Sequence, residues 1–300
     1  MRTFRRSLMP ACSAYSAVLL GAACAAALVS AACGGKQDNE PAVATPSFTL
    51  NKDKVPIDSV VTITYKFVVA PNATFDRDYW VFLHVLDPDG EQMWTDDHQP
   101  PTPTTQWKPG QTIEYKRTIF VPNYPYVGEA NVRLGLYDLT SGKRLPLNAP
   151  EVSRREYLVA KFQIQGSSEN IFILYKDGWH PAEVDAKNPQ SQWQWTKKTA
   201  TLSFKNPKKD STVYIQYDAR VDLFNPPQQV SLTLAGQPLA QFTADSKGPK
   251  ILSFPVKAAQ LGTGDMVDLV FDVDKTFKPG GTDPRELGIR VFHVYVEPTP

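Results

Sequence analysis

Alternation at period two constrains this sequence more than any other feature. Val61, Ile63, Tyr65 and Phe67 are interleaved with Thr62, Thr64 and Lys66. Val132, Leu134 and Leu136 alternate with Asn131, Arg133 and Gly135, and Val230, Leu232 and Leu234 with Ser231 and Thr233. Val267, Leu269, Phe271 and Val273 repeat the pattern. Successive strand residues point to opposite faces, so each run makes a strand with one buried face. Turn-forming residues separate the runs: DPDG at 87–90, KPGQ at 108–111, TSGK at 140–143, LAGQP at 234–238 and GTGD at 262–265. One helical turn is expected around 257–261. Many short strands at regular spacing predict an all-β chain built of antiparallel sandwiches.

The stretch QIQGSSEN at 163–170 marks a boundary. The strand-like REYLVAKFQIQ before it closes one sandwich, and NIFILY after it opens the next. The expected organisation is therefore an Ig-like β-sandwich over 46–165 and a jelly-roll-like β-sandwich over 170–298. The loop DDHQPPTPTTQWKPG at 96–110 carries four prolines, too many for a central strand, and is expected on the surface.

The first residues have a different chemistry. Arg2, Arg5 and Arg6 precede residues 11–32, which hold no charge and are mostly Ala, Leu and Val. A basic head, an apolar centre and a small-residue end are the parts of an export signal, here 1–32. All three cysteines, Cys12, Cys24 and Cys33, fall in or at the end of this segment. After Cys33 comes the polar stretch GGKQDNEPAVATP, and a flexible tether is expected over 33–45. LVSAAC followed by GGKQDNE resembles the lipobox of bacterial lipoproteins, although Ser30 stands where that family usually has Leu. The resemblance implies lipidation at Cys33, a membrane reached through a lipid anchor, and a place in the cell envelope, at the outer membrane. Cys24 after LLGAA is the alternative anchor, and ordinary cleavage without lipid is the other.

Charge narrows the partners. The chain has 32 Lys and Arg against 31 Asp and Glu; without the leader's three arginines, 29 face 31. Such a balance gives no electrostatic reason to expect nucleic acid. Catalytic signatures are missing as well: there is no G-x-S-x-G elbow, H-E-x-x-H pair, Gly-rich phosphate loop or C-x-x-C. No pair of acids is nominated for glycoside hydrolysis. No enzyme activity, metal or cofactor is therefore expected. Of the four histidines, His84 and His293 sit in apolar strand-like runs. Asp96, Asp97 and His98 offer oxygen and imidazole ligands, but adjacent residues point different ways, so a solvated loop with turn-capping acids is the expectation.

Residues 79–147 are similar to an uncharacterised β-sandwich module of bacterial surface proteins and membrane glycosyltransferases, through YWVFLHVLDPDGEQMWTDDHQPP, QWKPGQTIEY and VPNYPYVGEANVRLGLYD. Residues 171–297 resemble a module found near bacterial glycan-handling enzymes, through GWHPAE, WQW, VSLTLAGQPLAQF and DPRELGIRVFHVYVE. That module resembles the galactose-binding-like jelly roll of carbohydrate-binding modules, which implies architecture more than function. Within it, YKDGWHPAE at 175–183 gathers Trp179, His180 and Glu183; WQW gives Trp193 and Trp195; DPRELG gives Asp283 and Arg285. Aromatic faces suit sugar C–H surfaces and fixed polar groups suit hydroxyls, so these seven residues are the candidate ligand site, for a glycan or another envelope component. The competing reading makes them a structural corner: YKDGWHPAE docks onto DPRELG, Glu183 and Asp283 hold a buried Arg285, Trp179 covers it, and the paired tryptophans close the core. A protein with only protein–protein contacts is the alternative function. Labelling with radioactive palmitate is expected to mark the wild-type chain and not Cys33→Ser; equal labelling of both moves the anchor to Cys24 or removes it.

Overall fold

The computed structural model describes residues 40–167, 170–188 and 191–299. The leader, Cys33 and the first part of the tether lie outside the described residues. The nine strands of the first sandwich are β1 Ala44–Leu50, β2 Lys54–Pro56, β3 Val60–Val69, β4 Trp80–Leu86, β5 Gln92–Thr95, β6 Thr112–Phe120, β7 Gly128–Tyr137, β8 Glu151–Ser153 and β9 Glu156–Gln165. One sheet has the order β1-β3-β6, and the other β2-β9-β7-β4-β5 with β8 on β9. The alternation read in β3 is the observed burial: Val61, Ile63, Tyr65, Phe67 and Val69 all enter the core. Two details differ from expectation. Strand β1 begins at Ala44, inside the expected tether, because Ala44 is buried and Val43 N–H bonds Pro146 O at 2.9 Å. The short β2–β9 pairing is parallel, in an otherwise antiparallel set.

The second sandwich contains β10 Ile173–Tyr175, β11 Glu183–Val184, β12 Gln192–Trp195, β13 Thr199–Lys205, β14 Ser211–Asp218, β15 Gln228–Leu234, β16 Gln237–Ala244, β17 Lys250–Val256, β18 Met266–Val273 and β19 Arg290–Pro298. Its sheets are β10-β13-β18-β15-β16 and β11-β12-β19-β14-β17. The LAGQP signal is a two-residue hairpin: Leu234 pairs Gln237, and Ala235 and Gly236 both have positive φ, 47° and 78°. That is the turn whose twist matches a hairpin. The expected helical turn is a 3-10 turn at Ala258–Leu261. Each sandwich has its own apolar core, the first around Tyr65, Phe67 and Leu134, the second around Phe204, Tyr217 and Phe271. Each such side chain contributes about 1.5–3 kcal/mol by leaving water.

The proline-rich loop lies at the surface as expected, with most of its residues exposed, but a few of its side chains anchor it in the first core. Trp107 lies in the first core, against Phe67 (centroids 5.1 Å apart) and Phe75 (5.4 Å), and its Nε1–H bonds Thr102 O at 2.9 Å. Buried Thr104 accepts Tyr79 N–H at 2.8 Å and donates to Arg77 O at 3.0 Å. The loop leaves the sheet after His98, which still pairs with Val81, and the prolines that follow have no N–H to satisfy where the chain runs without ladder partners.

A register break between β14 and β19 sets how the sandwiches meet. Gln216 pairs His293 while Tyr217 pairs Val291, so Phe292 is an extra residue. A bulge of this kind re-aims side chains. Val291 and Val294 enter the core, and Phe292 and His293 both go to the outer face. His293 stacks on Phe120 of β6 with centroids 4.9 Å apart and planes 23° apart. Lys52 pairs Glu297 at 2.5 Å, and Asn170 Nδ2–H bonds Ile57 O at 2.8 Å. Burial at this junction pushes the His293 imidazole down to about 4. A base with a depressed folded pKa adds stability that is complete above its unfolded pKa, near 6.5, and is lost as pH falls towards 4. The ceiling is roughly 3 kcal/mol. Thermal unfolding of the wild type is expected to weaken between those pH values, and His293→Gln to flatten that slope; parallel profiles would show that the imidazole does not report the junction.

Candidate functional site

The chain crosses from one sheet of the second sandwich to the other through YKDGWHPAE. Gly178 makes this turn (φ 86°) and lies so close to Thr199 O and Ala200 that a Cβ would collide with them. The corner does meet DPRELG. Arg285 Nη1 donates to Glu183 Oε1 at 2.5 Å, and Nη2 donates to Asp283 Oδ2 at 2.8 Å. The His180 ring shares a hydrogen bond with Glu286 O at 2.8 Å, and its backbone N–H bonds Trp195 O at 2.9 Å. The Arg285 guanidinium holds the Asp283 carboxyl down at about 2. The meeting does not come from pairing of the first and last strands: β10 pairs β13, while β12 carries β11 to β19.

Two parts of the corner expectation are corrected. Arg285 is not buried, its side chain being 32% exposed. Nor does Trp179 cover it. Trp179 turns towards the second core, edge-on to Tyr175 (4.9 Å) and Phe271 (5.4 Å), with Nε1–H on Thr201 O at 2.7 Å. The rigid Gly178 turn sends the indole under β13 rather than over the salt bridge. Trp179 thus stands apart from the other six nominated residues.

Trp193 and Trp195 share a face, as their spacing requires, but neither closes the core. They flank Arg290, whose guanidinium carbon is 4.9 Å from the Trp193 ring and 5.5 Å from that of Trp195. Phe292 is a third ring, at 5.6 Å. Arg290 grips Asp218 through both carboxylate oxygens, with Nε–H to Oδ1 at 2.6 Å. Asp218 is 2% exposed, and burial pushes its carboxyl up even against this arginine. Glu183 lies opposite Trp193 in the β11–β12 register, which joins the corner to the tryptophan row.

Trp193 and Phe292 of this row line a cleft between the sandwiches. Its larger part, about 590 Å³, is lined by Gln216 and Phe292 from the second sandwich and by Trp94, Asp96, Arg117 and Phe120 from the first. A second part, about 470 Å³, adds Trp193, Asn123 and Asp58, and shares Pro122, Phe292 and His293 with the first. Both volumes lie in the range of small-molecule sites. Asp96 is fixed by Arg117, Nε–H to Oδ2 at 2.7 Å and Nη2–H to Oδ1 at 2.8 Å, and by the Tyr65 hydroxyl at 2.8 Å. Burial raises that carboxyl, but the Arg117 bonds outweigh it and the net direction is down. His98 bonds Asp96 O at 2.7 Å and the Tyr115 hydroxyl at 2.8 Å, and burial, aided by Arg117, pushes its pKa down.

Asp96 and His98 are thus not part of a solvated capping loop as expected from TDDHQ: both are buried, and Asp96 lines the cleft, while Asp97 is exposed. Among the described residues, no group of three or more His, Cys, Asp and Glu is arranged to hold a metal. Arg117, Gln216, Arg290 and Phe292 were missed because their partners are distant in sequence. The one local signal was Arg290 preceding the aromatic pair Phe292–His293 in a strand where alternation falters.

The two arginines separate by burial. Arg285→Ala breaks a pair that is a third exposed and so in competition with water, and is expected to cost about 1 kcal/mol or less. Arg290→Ala leaves Asp218 charged and buried, and about 3–5 kcal/mol is expected. Urea unfolding of the two variants checks this; an equal or reversed order would refute the assignment.

No family model and no curated protein matches the sequence. Among solved structures, the chain is similar to the β-glucuronidase of Bacteroides uniformis at 8% identity and TM-score 0.30, over 85% of this chain and 30% of that one. It is similar to the exo-β-1,3-galactanase of Phanerochaete chrysosporium at 11% identity and TM-score 0.27, over 85% and 57%. It is also similar to the CBM51-2 and INT domains of Clostridium perfringens ZmpB at 12% identity and TM-score 0.25, over 84% and 40%. The chain spans less than two thirds of the length of each, and its function is a matter for its own residues.

Proposed function

We propose that this chain is a non-enzymatic, lipid-anchored protein of the bacterial cell envelope, at the outer membrane, that binds a glycan or another envelope component in the cleft between its sandwiches. The observation that carries the reading is the makeup of the cleft. Aromatic faces from Trp193, Phe292 and Phe120 stand beside polar groups already fixed by hydrogen bonds, Asp96 and Arg117 above all. Flat apolar faces pack on the C–H surfaces of a sugar ring, and immobilised polar groups meet its hydroxyls at little ordering cost. Lipid anchoring rests on the leader and Cys33. The lack of catalysis rests on the acids: Asp96 is committed to Arg117, and among the described lining residues the other carboxyl, Asp58, belongs to the second part of the cleft.

A rival reading as an assembly part has one observation behind it. Phe172 is 75% exposed at the start of β10, and Leu174 and Met266 are also exposed on that sheet. An apolar group of this kind suits a protein contact. A glycan array on the full-length protein separates the two. Binding is expected, with sugars shielding tryptophan from acrylamide, and Phe292→Ala is expected to lower affinity about tenfold or more. An array with no binder, together with self-association abolished by Phe172→Ser, would favour the rival.

A further inference from the structure

A strand at the edge of a sheet carries unpaired N–H and C=O groups, and native proteins guard such edges by keeping them short or by placing proline in them. Both devices recur in this chain. Edge strands β2, β5, β8, β10 and β11 have only two to four residues. The longer edges β1, β16 and β17 carry Pro46, Pro238 and Pro255. Among the described edges β6 is the exception. It runs nine residues, Thr112–Phe120, pairs with β3 alone, and has neither proline nor a register shift.

The register shows which groups are free. Val69 N–H bonds Gln111 O at 2.9 Å at one end of the β3–β6 ladder, and Val121 N–H bonds Ser59 O at 2.8 Å at the other. In an antiparallel pair, bonded and non-bonded residues alternate. The odd-numbered residues of β6 therefore bond β3, while Thr112, Glu114, Lys116 and Thr118 turn their backbone groups to the open side. No hydrogen bond among the described residues reaches those groups, and all four residues are exposed.

The side chains say what pairs there. Run antiparallel to itself about Tyr115, the segment 112–118 is self-complementary: Thr112 meets Thr118 and Glu114 meets Lys116, each twice by symmetry. Lys116 has no ion pair among the described residues, and Glu114 has an exposed contact with Lys66 at 3.7 Å. An axis moved by one residue, to Lys116, sets two lysines opposite each other, which is destabilising. We propose that β6 is a self-association edge: two copies of this chain pair their β6 strands antiparallel about Tyr115 and join their sheets into one. The contact is separate from the exposed Phe172 group and does not depend on what the cleft binds.

Sedimentation velocity of the full-length protein in a non-ionic detergent, which keeps the leader or an anchor out of the contact, tests this. A reversible dimer is expected, with a dissociation constant on the order of 10 µM, because one strand edge makes a small interface. Lys116→Glu and Glu114→Lys each set like charges opposite one another, and each is expected to weaken the dimer about tenfold or more. The chain carrying both changes is expected to return to within about threefold of the wild type. Thr118→Pro removes an N–H that β3 does not use, so the circular dichroism spectrum should stay the same while the dimer is lost. A chain that stays monomeric at about 1 mM overturns the inference. So does a dimer that ignores all three variants, which puts the contact on another face, or single exchanges that the double exchange does not rescue. A monomeric chain that takes up a synthetic peptide of residues 112–118 overturns the second copy as partner and gives the edge to a foreign strand.

Discussion

The structure around the cleft depends on one extra residue in β19. Without it, strict alternation would put Phe292 and His293 on opposite faces, and one would enter the core of the second sandwich. With it, Val291 and Val294 keep their inward places, and both aromatic residues face outward. His293 then reaches Phe120 and joins the sandwiches, while Phe292 lines both parts of the cleft. Arg290, on the same face, is held by Asp218 and by three rings. A single register shift thus supplies both the junction and the wall of the candidate site.

Magnitudes decide which polar contacts shape the fold. The Glu183–Arg285–Asp283 group is well formed but a third exposed, so water competes with every bond in it. It orients a rim. The Asp218–Arg290 and Asp96–Arg117 pairs each bury a carboxylate, and there loss of one partner leaves an unsolvated charge. Of the two, the Asp96–Arg117 pair lines the cleft. Replacing a buried pair by apolar side chains of like volume need not destabilise the fold, so for Asp96 and Arg117 a role in presenting fixed polar groups to the cleft accounts for their position better than stability does.

Much of the fold was legible because it is written in local periods. The alternation at 61–67 and 267–273 became β3 and β18, and Ala235–Gly236 formed the hairpin turn that LAGQP predicts. The contact of YKDGWHPAE with DPRELG was legible too, since complementary charges in two short motifs suggested it. What failed was depth. Trp179 and Trp107 sit where distant strands leave room, and no nearby residue announces that. TDDHQ reads as a hydrophilic loop because its partners, Tyr65, Tyr115 and Arg117, come from other strands. The bulge escaped for a related reason: RVFHVYV reads equally well in either register, and only pairing with β14 selects one.

Much of the cleft wall is made of outer faces of paired strands, with loop residues such as Pro122 and Asn123 at its edges. Trp193, Gln216 and Phe292 sit on three neighbouring strands of one sheet, and Arg117 and Phe120 on β6 of another. Side chains on such a surface have little rotamer freedom left to lose, so a ligand meets a nearly finished site and the ordering cost of binding is small. The cost is transferred to the junction. A ligand touching both walls binds only when the sandwiches are docked, so by mass action it strengthens the contact of His293 with Phe120. The same contact is weakened by protonating His293, because the charged ring cannot be solvated there. Protons and ligand would therefore act on one equilibrium in opposite directions, and by linkage a ligand that spans the cleft without contacting His293 would bind more weakly as His293 is protonated.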